Sequence, residues 1–338
     1  MKILFLHSGD RVPSARFRVL PFLRHFRAAG HSVTAFSSVP QKYDYFKWMG
    51  FRPSQFLKRH LRSWQLLLAK IRRYDCVFVD RELFDSTSCE MEEQFAATCG
   101  RFVLDVDDAV FFRYPEKYER LARLSDVVIA GNKFIDEYTR PFSDRIVIIP
   151  TCVEMAQYPA RSWNNPADMP VVGWMGTTGN LDYINVCAAG LREVAATIPF
   201  HMRFVVPDIS PLEQVDLTGV QVQHVPWRGA TEVQELQQFD VGLMPLYPDR
   251  EWDRYKCGLK LIQYMAVGVP GIASPVGVNA DILDDGRTGF VAGNSSEWVR
   301  GLTSLLQRDS DELRAVSTDQ VNRADQLAVD NESLRNQV

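Results

Sequence analysis

The chain has 338 residues, long for one core and comfortable for two. With 46% apolar and 24% charged residues it has the make-up of a folded soluble protein, which leaves disorder to the ends. A formal net charge of −4 gives no global sign of nucleic-acid binding.

The opening run Met1-Lys2-Ile3-Leu4-Phe5-Leu6 is too short for a signal peptide and lacks a cleavage site, so it reads as a first strand. A loop with Gly9, Asp10, Pro13 and Ser14 follows. Val19, Leu20, Leu23 and Phe26 then recur at helical spacing, and Gly30 stops the helix. Residues 31–36 return as a strand, which completes a βαβ opening.

Residues 52–73 come next. Phe56, Leu57, Leu61, Trp64, Leu67, Leu68 and Ile71 form an apolar stripe, with Lys58, Arg59, Arg62, Lys70, Arg72 and Arg73 beside it. Such a helix either packs its stripe on a core or lies on an anionic membrane surface. No apolar run reaches membrane-spanning length.

Short β-branched runs follow at residues 76–79, 102–105, 127–130 and 146–149, as in a parallel sheet buried on both faces. Residues 156–170 have a linker composition, with three prolines and two asparagines. The strand-helix rhythm restarts at residue 171 and continues at 200–206, 220–222, 241–244 and 271–274. The expected domains are 1–155 and 171–310, with a terminal helix over 311–338 returning toward the first. Six cysteines form no C-x-x-C pair, and the histidines have no zinc-like spacing. Buried free thiols in the cytoplasm are the expectation.

Chemistry concentrates in two segments of the second half. In residues 255–270, Gly258 precedes a helical pattern whose apolar face is Leu261, Ile262 and Met265; Gly268 ends it. The amides of Gly258 and Leu259 then lie at a helix N-terminus, with Lys256 and Lys260 adding positive charge: a site for a diphosphate. Against it stands a plain helix start with solvated lysines. The second segment is Gly173-Trp174-Met175-Gly176-Thr177-Thr178-Gly179-Asn180, a βα turn whose small residues let amides approach an anion. It matches neither the G-x-G-x-x-G nor the Walker pattern.

Lys256-Cys257-Gly258-Leu259-Lys260, Gln263-Tyr264-Met265-Ala266, Gly268, Pro270, Ser274-Pro275-Val276-Gly277, Asp285-Gly286 and Gly289-Phe290 together resemble the donor region of glycosyltransferase family 4. The resemblance implies an α/β chain of the GT-B fold: two Rossmann-like, doubly wound domains facing across a cleft. It implies retaining, metal-independent transfer from a nucleoside-diphosphate sugar, a co-substrate rather than a cofactor. The diphosphate would lie on Gly258 and Leu259 and against Gly176, Thr177 and Thr178, with the nucleobase near His224-Val225-Pro226-Trp227. Many members carry two glutamates eight residues apart; here those positions are Tyr255 and Gln263. The Gln263 amide, donor and acceptor at once, can still meet ribose hydroxyls. The turn after the first strand of the second half lacks the Arg and Lys common in the family. Lys260 first, and Lys256 with it, would take their place.

In the first half, Asp107 and Asp108 after a strand would face the cleft and orient acceptor hydroxyls, or else pair with Arg81 or Arg113. Asp105 is read as a cap or an ion-pair partner, and Glu82 as a further cleft residue. Gly9, Asp10, Arg16 and Arg18 in the first βα loop would hold an anionic acceptor or the leaving phosphate, or be ordinary surface groups. The expected partners are a nucleotide-sugar donor and a glycan or lipid-linked acceptor, with peripheral contact of residues 52–73 at the inner membrane surface and no nucleic acid. Two other readings stay open: a sugar-nucleotide epimerase on the same fold, and a non-catalytic nucleotide-sugar-binding protein.

Overall fold

The computed structural model describes residues 1–163 and 169–335. Of the expected linker 156–170, residues 164–168 lie outside the described residues, as do 336–338 of the terminal helix. The chain divides into two units. One takes Met1–Thr151 and the chain from Asn331 onward, the other Cys152–Asp330.

The first unit is built on β1 (Lys2–His7), β2 (Ser32–Ser37), β3 (Tyr74–Asp80), β4 (Cys99–Val106), β5 (Val127–Ala130) and β6 (Ile146–Ile148). All pair in parallel, in the order β2-β1-β3-β4-β5-β6. Alternate residues bury opposite faces, as strand geometry requires. Phe5, Phe78, Val103 and Ile129 pack on one face, and Leu4, Leu6, Val77, Val79 and Phe102 on the other. Phe5 stands opposite Phe78 in the ladder, ring centres 5.0 Å apart. Leu334 of the terminal helix Ser310–Arg335 joins the first of these faces, and the Asn331 amide donates to the Pro150 carbonyl.

The second unit holds β7 (Val171–Met175), β8 (His201–Val206), β9 (Gln221–Pro226), β10 (Val241–Met244), β11 (Gly271–Ala273) and β12 (Gly289–Val291). They too are parallel, in the order β12-β11-β10-β7-β8-β9. Trp174, Phe204, Leu243, Ile272 and Trp298 fill its core. Both sheets bear out the α/β, doubly wound expectation. The short β12, with two glycines just upstream of it or at its start, was not among the expected strands.

The helix Phe51–Arg72 packs Leu66 and Ala69 on the core but turns most of the expected apolar stripe outward. Phe56, Trp64, Leu67, Leu68 and Ile71 are exposed, whereas Lys58 and Arg62 are buried. Lys58 Nζ donates to the carbonyls of Gln41 (3.0 Å) and Lys42 (2.8 Å). Arg62 donates to the carbonyls of His7 (2.9 Å) and Phe36 (3.2 Å). These carbonyls lie at strand ends and in the loop after β2, where burial without a donor is costly. Burial, with the neighbouring Arg62 charge, pulls the Lys58 ammonium down to about 8.

Candidate functional site

In an open parallel sheet, ligands bind beyond the carboxyl ends of the strands where the winding direction reverses. Read from β9, the second sheet runs third, second, first, fourth, fifth, sixth strand of its unit, so the reversal falls between β7 and β10. The two segments singled out in the sequence leave the sheet at this point. The Gly176 turn follows β7, and the chain after β10 leads through the turn Glu251–Tyr255 into the helix Leu259–Ala266.

Gly258 is the N-cap of that helix, at φ 66° and ψ 20°. This left-handed conformation favours glycine, and a Cβ there would also collide with Ile282 Cδ1. No side chain among the described residues caps the helix, and its first inward bond is Ile262 N–H to Gly258 O, 3.2 Å. First-turn N–H groups point out along the axis, and with the helix dipole they favour an anion.

Two lysines flank this end. Lys260 Nζ stands 5.4 Å from the centre of the Trp174 ring, and a Cβ at Gly176 would come within 2.5 Å of the same ring. The buried tryptophan therefore sits between the two predicted segments. Lys256 Nζ is 3.9 Å from Asp253 Oδ1 and 5.5 Å from the Tyr183 ring centre. Asp253 is fully buried; it accepts from the Tyr183 hydroxyl and from Tyr247 N–H (3.1 Å). Burial, then the bond and charge of Asp253, push the Tyr183 phenol up. Arg250 lies over Tyr247, 3.8 Å from its ring centre, and donates to Asp182 at 2.7 Å. Tyr183, Tyr247, Arg250 and Asp253 carried no motif in the sequence; only the three-residue spacing from Asp253 to Lys256 could have drawn attention.

The turn after β7 is less open than expected. The Gly176 amide donates to Val205 O at 3.2 Å, and Thr178 Oγ1 bonds the Asp208 backbone at 3.1 Å. Thr177 is exposed.

At the end of β9, Trp227 Nε1 donates to Glu232 Oε2 at 2.9 Å. The buried Glu232 also accepts from Gln263 Nε2 (3.1 Å) and from the Tyr158 hydroxyl (3.4 Å). Gln263 was expected to offer its amide to ribose hydroxyls. Instead it is 6% exposed, and its N–H groups go to Glu232 and Tyr158 (3.2 Å). Tyr255 is likewise buried, at 6%. Glu232, not singled out in the sequence, is the group that ties Trp227 to the helix Leu259–Ala266.

The first sheet runs in the flavodoxin-like order, with its reversal between β1 and β3. Gly9 and Asp10 follow β1, Arg81 and Glu82 follow β3, and Asp107 and Asp108 follow β4. Asp10 is exposed, with one oxygen 3.8 Å from His7 Nε2. Arg16 is half-buried against Phe17. Arg18 is neither a surface group nor an anion holder. It is fully buried, with both Asp105 oxygens taken at 2.7 and 2.6 Å and further bonds to Ile149 O and Thr151 Oγ1. The Asp105 carboxylate is thus paired with Arg18, while its carbonyl accepts from Arg81 N–H at 2.8 Å. Glu82, expected to face ligand, is buried and ion-paired with Lys42, whose ammonium it holds above its ordinary value against the opposing effect of burial.

Arg81 Nε bonds Asp107 Oδ1 at 2.5 Å, and its Nη2 lies 3.8 Å from Asp108. Burial alone would raise the Asp107 carboxyl; the Arg81 charge outweighs it and holds the carboxyl below its usual range. Arg81 adopts φ 60°, a strained value for a residue with a side chain. Its guanidinium reaches both aspartates.

Residues 169–308 match the family model described as glycosyl transferases group 1. None of the curated proteins matches the sequence. Solved structures match along the whole chain. Sucrose-phosphate synthase from Thermosynechococcus elongatus is 16% identical at a TM-score of 0.69, covering 100% of this chain and 99% of its own. HepE from Anabaena, in complex with UDP-glucose, is 15% identical at 0.67 with the same coverage. A glycosyltransferase from Rickettsia africae is 13% identical at 0.65, covering 99% and 98%. At these identities the likeness shows the fold: two Rossmann-like units, the GT-B architecture.

Proposed function

We propose that the chain, whose residues 169–308 match the model of group 1 glycosyl transferases, moves a sugar from a nucleoside-diphosphate sugar to an acceptor hydroxyl, with retention at the anomeric carbon and without a metal ion. The observation that carries this reading is the meeting of the Gly176 turn, Trp174, Lys260 and the helix start at Gly258 where the second sheet reverses.

The diphosphate lies on the amides of Gly258 and Leu259, with Lys260 and Lys256 as point charges. Negative charge grows on it as the glycosidic bond breaks, and groups already in place stabilise that charge without reorganising. The anomeric carbon becomes oxocarbenium-like, and the leaving phosphate takes the acceptor proton. Retention and independence from metal are what the family 4 resemblance implies; the two lysines supply the positive charge such a reaction needs. The base stacks near Trp227, whose plane Glu232 fixes. HepE has been solved with UDP and glucose, which makes uridine-diphosphate sugars the first donors to test. The acceptor binds the first unit near Arg81, Asp107 and Asp108. It is a glycan or lipid-linked glycan of cell-surface synthesis on the cytoplasmic side, with residues 52–73 meeting the inner membrane surface.

Thermal shifts across a panel of nucleotide sugars identify the donor, since a ligand bound to the folded state raises the melting point. Incubation of that donor alone separates the rivals: epimerised donor would mark an epimerase. Binding without turnover on any acceptor would mark a carrier.

A further inference from the structure

The helix Phe51–Arg72 presents to solvent the side that a soluble helix hides. Phe56, Trp64, Leu67 and Ile71 recur at spacings of three, four and eight residues and so share one face. Leu68 borders them, and His60 sits in line with its ring centre 3.8 Å from that of Phe56. Trp64 is 65% and Ile71 69% exposed, and Trp48, just before the helix, is 80% exposed. From Phe56 to Ile71 the stripe runs for roughly 22 Å, at about 1.5 Å per residue.

The inward face is occupied. Ser54, Lys58, Arg62, Leu66 and Ala69 are buried, and the two cations are committed to carbonyls of the first unit. The helix therefore cannot roll its stripe inward without stripping donors from buried carbonyls. Charge indicates what meets the stripe. Residues 45–74 contain no Asp or Glu. Lys47, Arg52, Arg59, Lys70, Arg72 and Arg73 are all exposed around it. Apolar and aromatic side chains ringed by cations fit the interface of a bilayer with anionic headgroups.

We propose that Trp48, Phe56, Trp64, Leu67 and Ile71 insert into the headgroup region of an anionic lipid leaflet, with Arg52, Lys70 and Arg72 on the lipid phosphates. The inference deepens the membrane-surface part of the proposed function and rests on it, but not on the transfer chemistry.

Sedimentation of the full chain with vesicles tests it. Vesicles with one third phosphatidylglycerol are expected to carry down most of the protein, and pure phosphatidylcholine vesicles at least tenfold less. Trp64→Glu with Ile71→Glu, and separately Arg52→Glu with Lys70→Glu, are expected to lower binding at least tenfold while the melting point stays near that of the parent. Equal binding to both vesicle types, no binding to either, or unaltered binding by both variants would overturn the proposal. A dimer that Trp64→Glu dissociates would overturn it too, since a second copy would then cover the stripe. Nucleotide binding by the same variants is read in parallel: its persistence when vesicle binding fails leaves the donor site standing.

Discussion

Lys260 places its ammonium 5.4 Å from the centre of the Trp174 ring, the ring that also limits the space at Gly176. Trp174 is buried, so the lysine is steered by a fixed object rather than left to solvent. A cation held over an aromatic face gains electrostatic attraction and loses freedom, which would preorganise it for the proposed diphosphate. Lys260→Ala should lower kcat by about 10²–10³, the range for removing one preorganised donor to transition-state charge, with a melting point close to the parent's. Steady-state kinetics with a matched thermal scan measures both.

Gly258→Ala should act on stability as well as activity. The substitution places a Cβ in a left-handed conformation and against Ile282. A loss of about 1–3 kcal/mol in urea unfolding is expected, together with weaker nucleotide binding.

Arg18 and Asp105 offer a contrast, a fully buried ion pair. Arg18→Ala leaves the Asp105 carboxylate buried without its cation and should cost about 3–5 kcal/mol. Pairing Arg18→Met with Asp105→Leu should recover most of that loss. Arg16→Ala, two residues away and half-buried against Phe17, should cost far less, about 1 kcal/mol. Chemical denaturation of the variants checks all three.

His7 predicts an acid limb in the stability profile. Burial lowers its pKa, and Asp80 and Asp10 only partly oppose that. As pH falls through about 6.5, the unfolded chain takes up a proton that folded His7 does not accept until lower pH. The unfolded state then binds more protons, so stability falls as pH drops below that value. His7→Gln should flatten the slope of unfolding free energy below about pH 6.5.

The helix start at Gly258 was legible because its signals are local. A glycine before an amphipathic run marks a helix start, and lysines beside it mark charge. Gly258, Lys256 and Lys260 needed no knowledge of distant residues. The parallel sheets were legible for the same reason, from short β-branched runs. Arg18 was not: its partner lies 87 positions away, and nothing local says that an arginine ending a short helix is buried. Glu232 lies in an unremarkable polar segment and acquires its place only when the helix Leu259–Ala266 packs beside it. The orientation of Phe51–Arg72 was legible as an amphipathic pattern but not in its sense. The inward face carries Leu66 and Ala69 in the core and Lys58 and Arg62 on carbonyls that belong to other elements.

Calorimetric titration with UDP, ADP and GDP, each beside its monophosphate, tests the pyrophosphate cradle at Gly258 most directly. The expected result is that one diphosphate binds at least tenfold more tightly than its monophosphate, and that Lys260→Ala removes most of this preference. Equal affinity for the two, unchanged by the substitution, or no binding of any diphosphate, would contradict it.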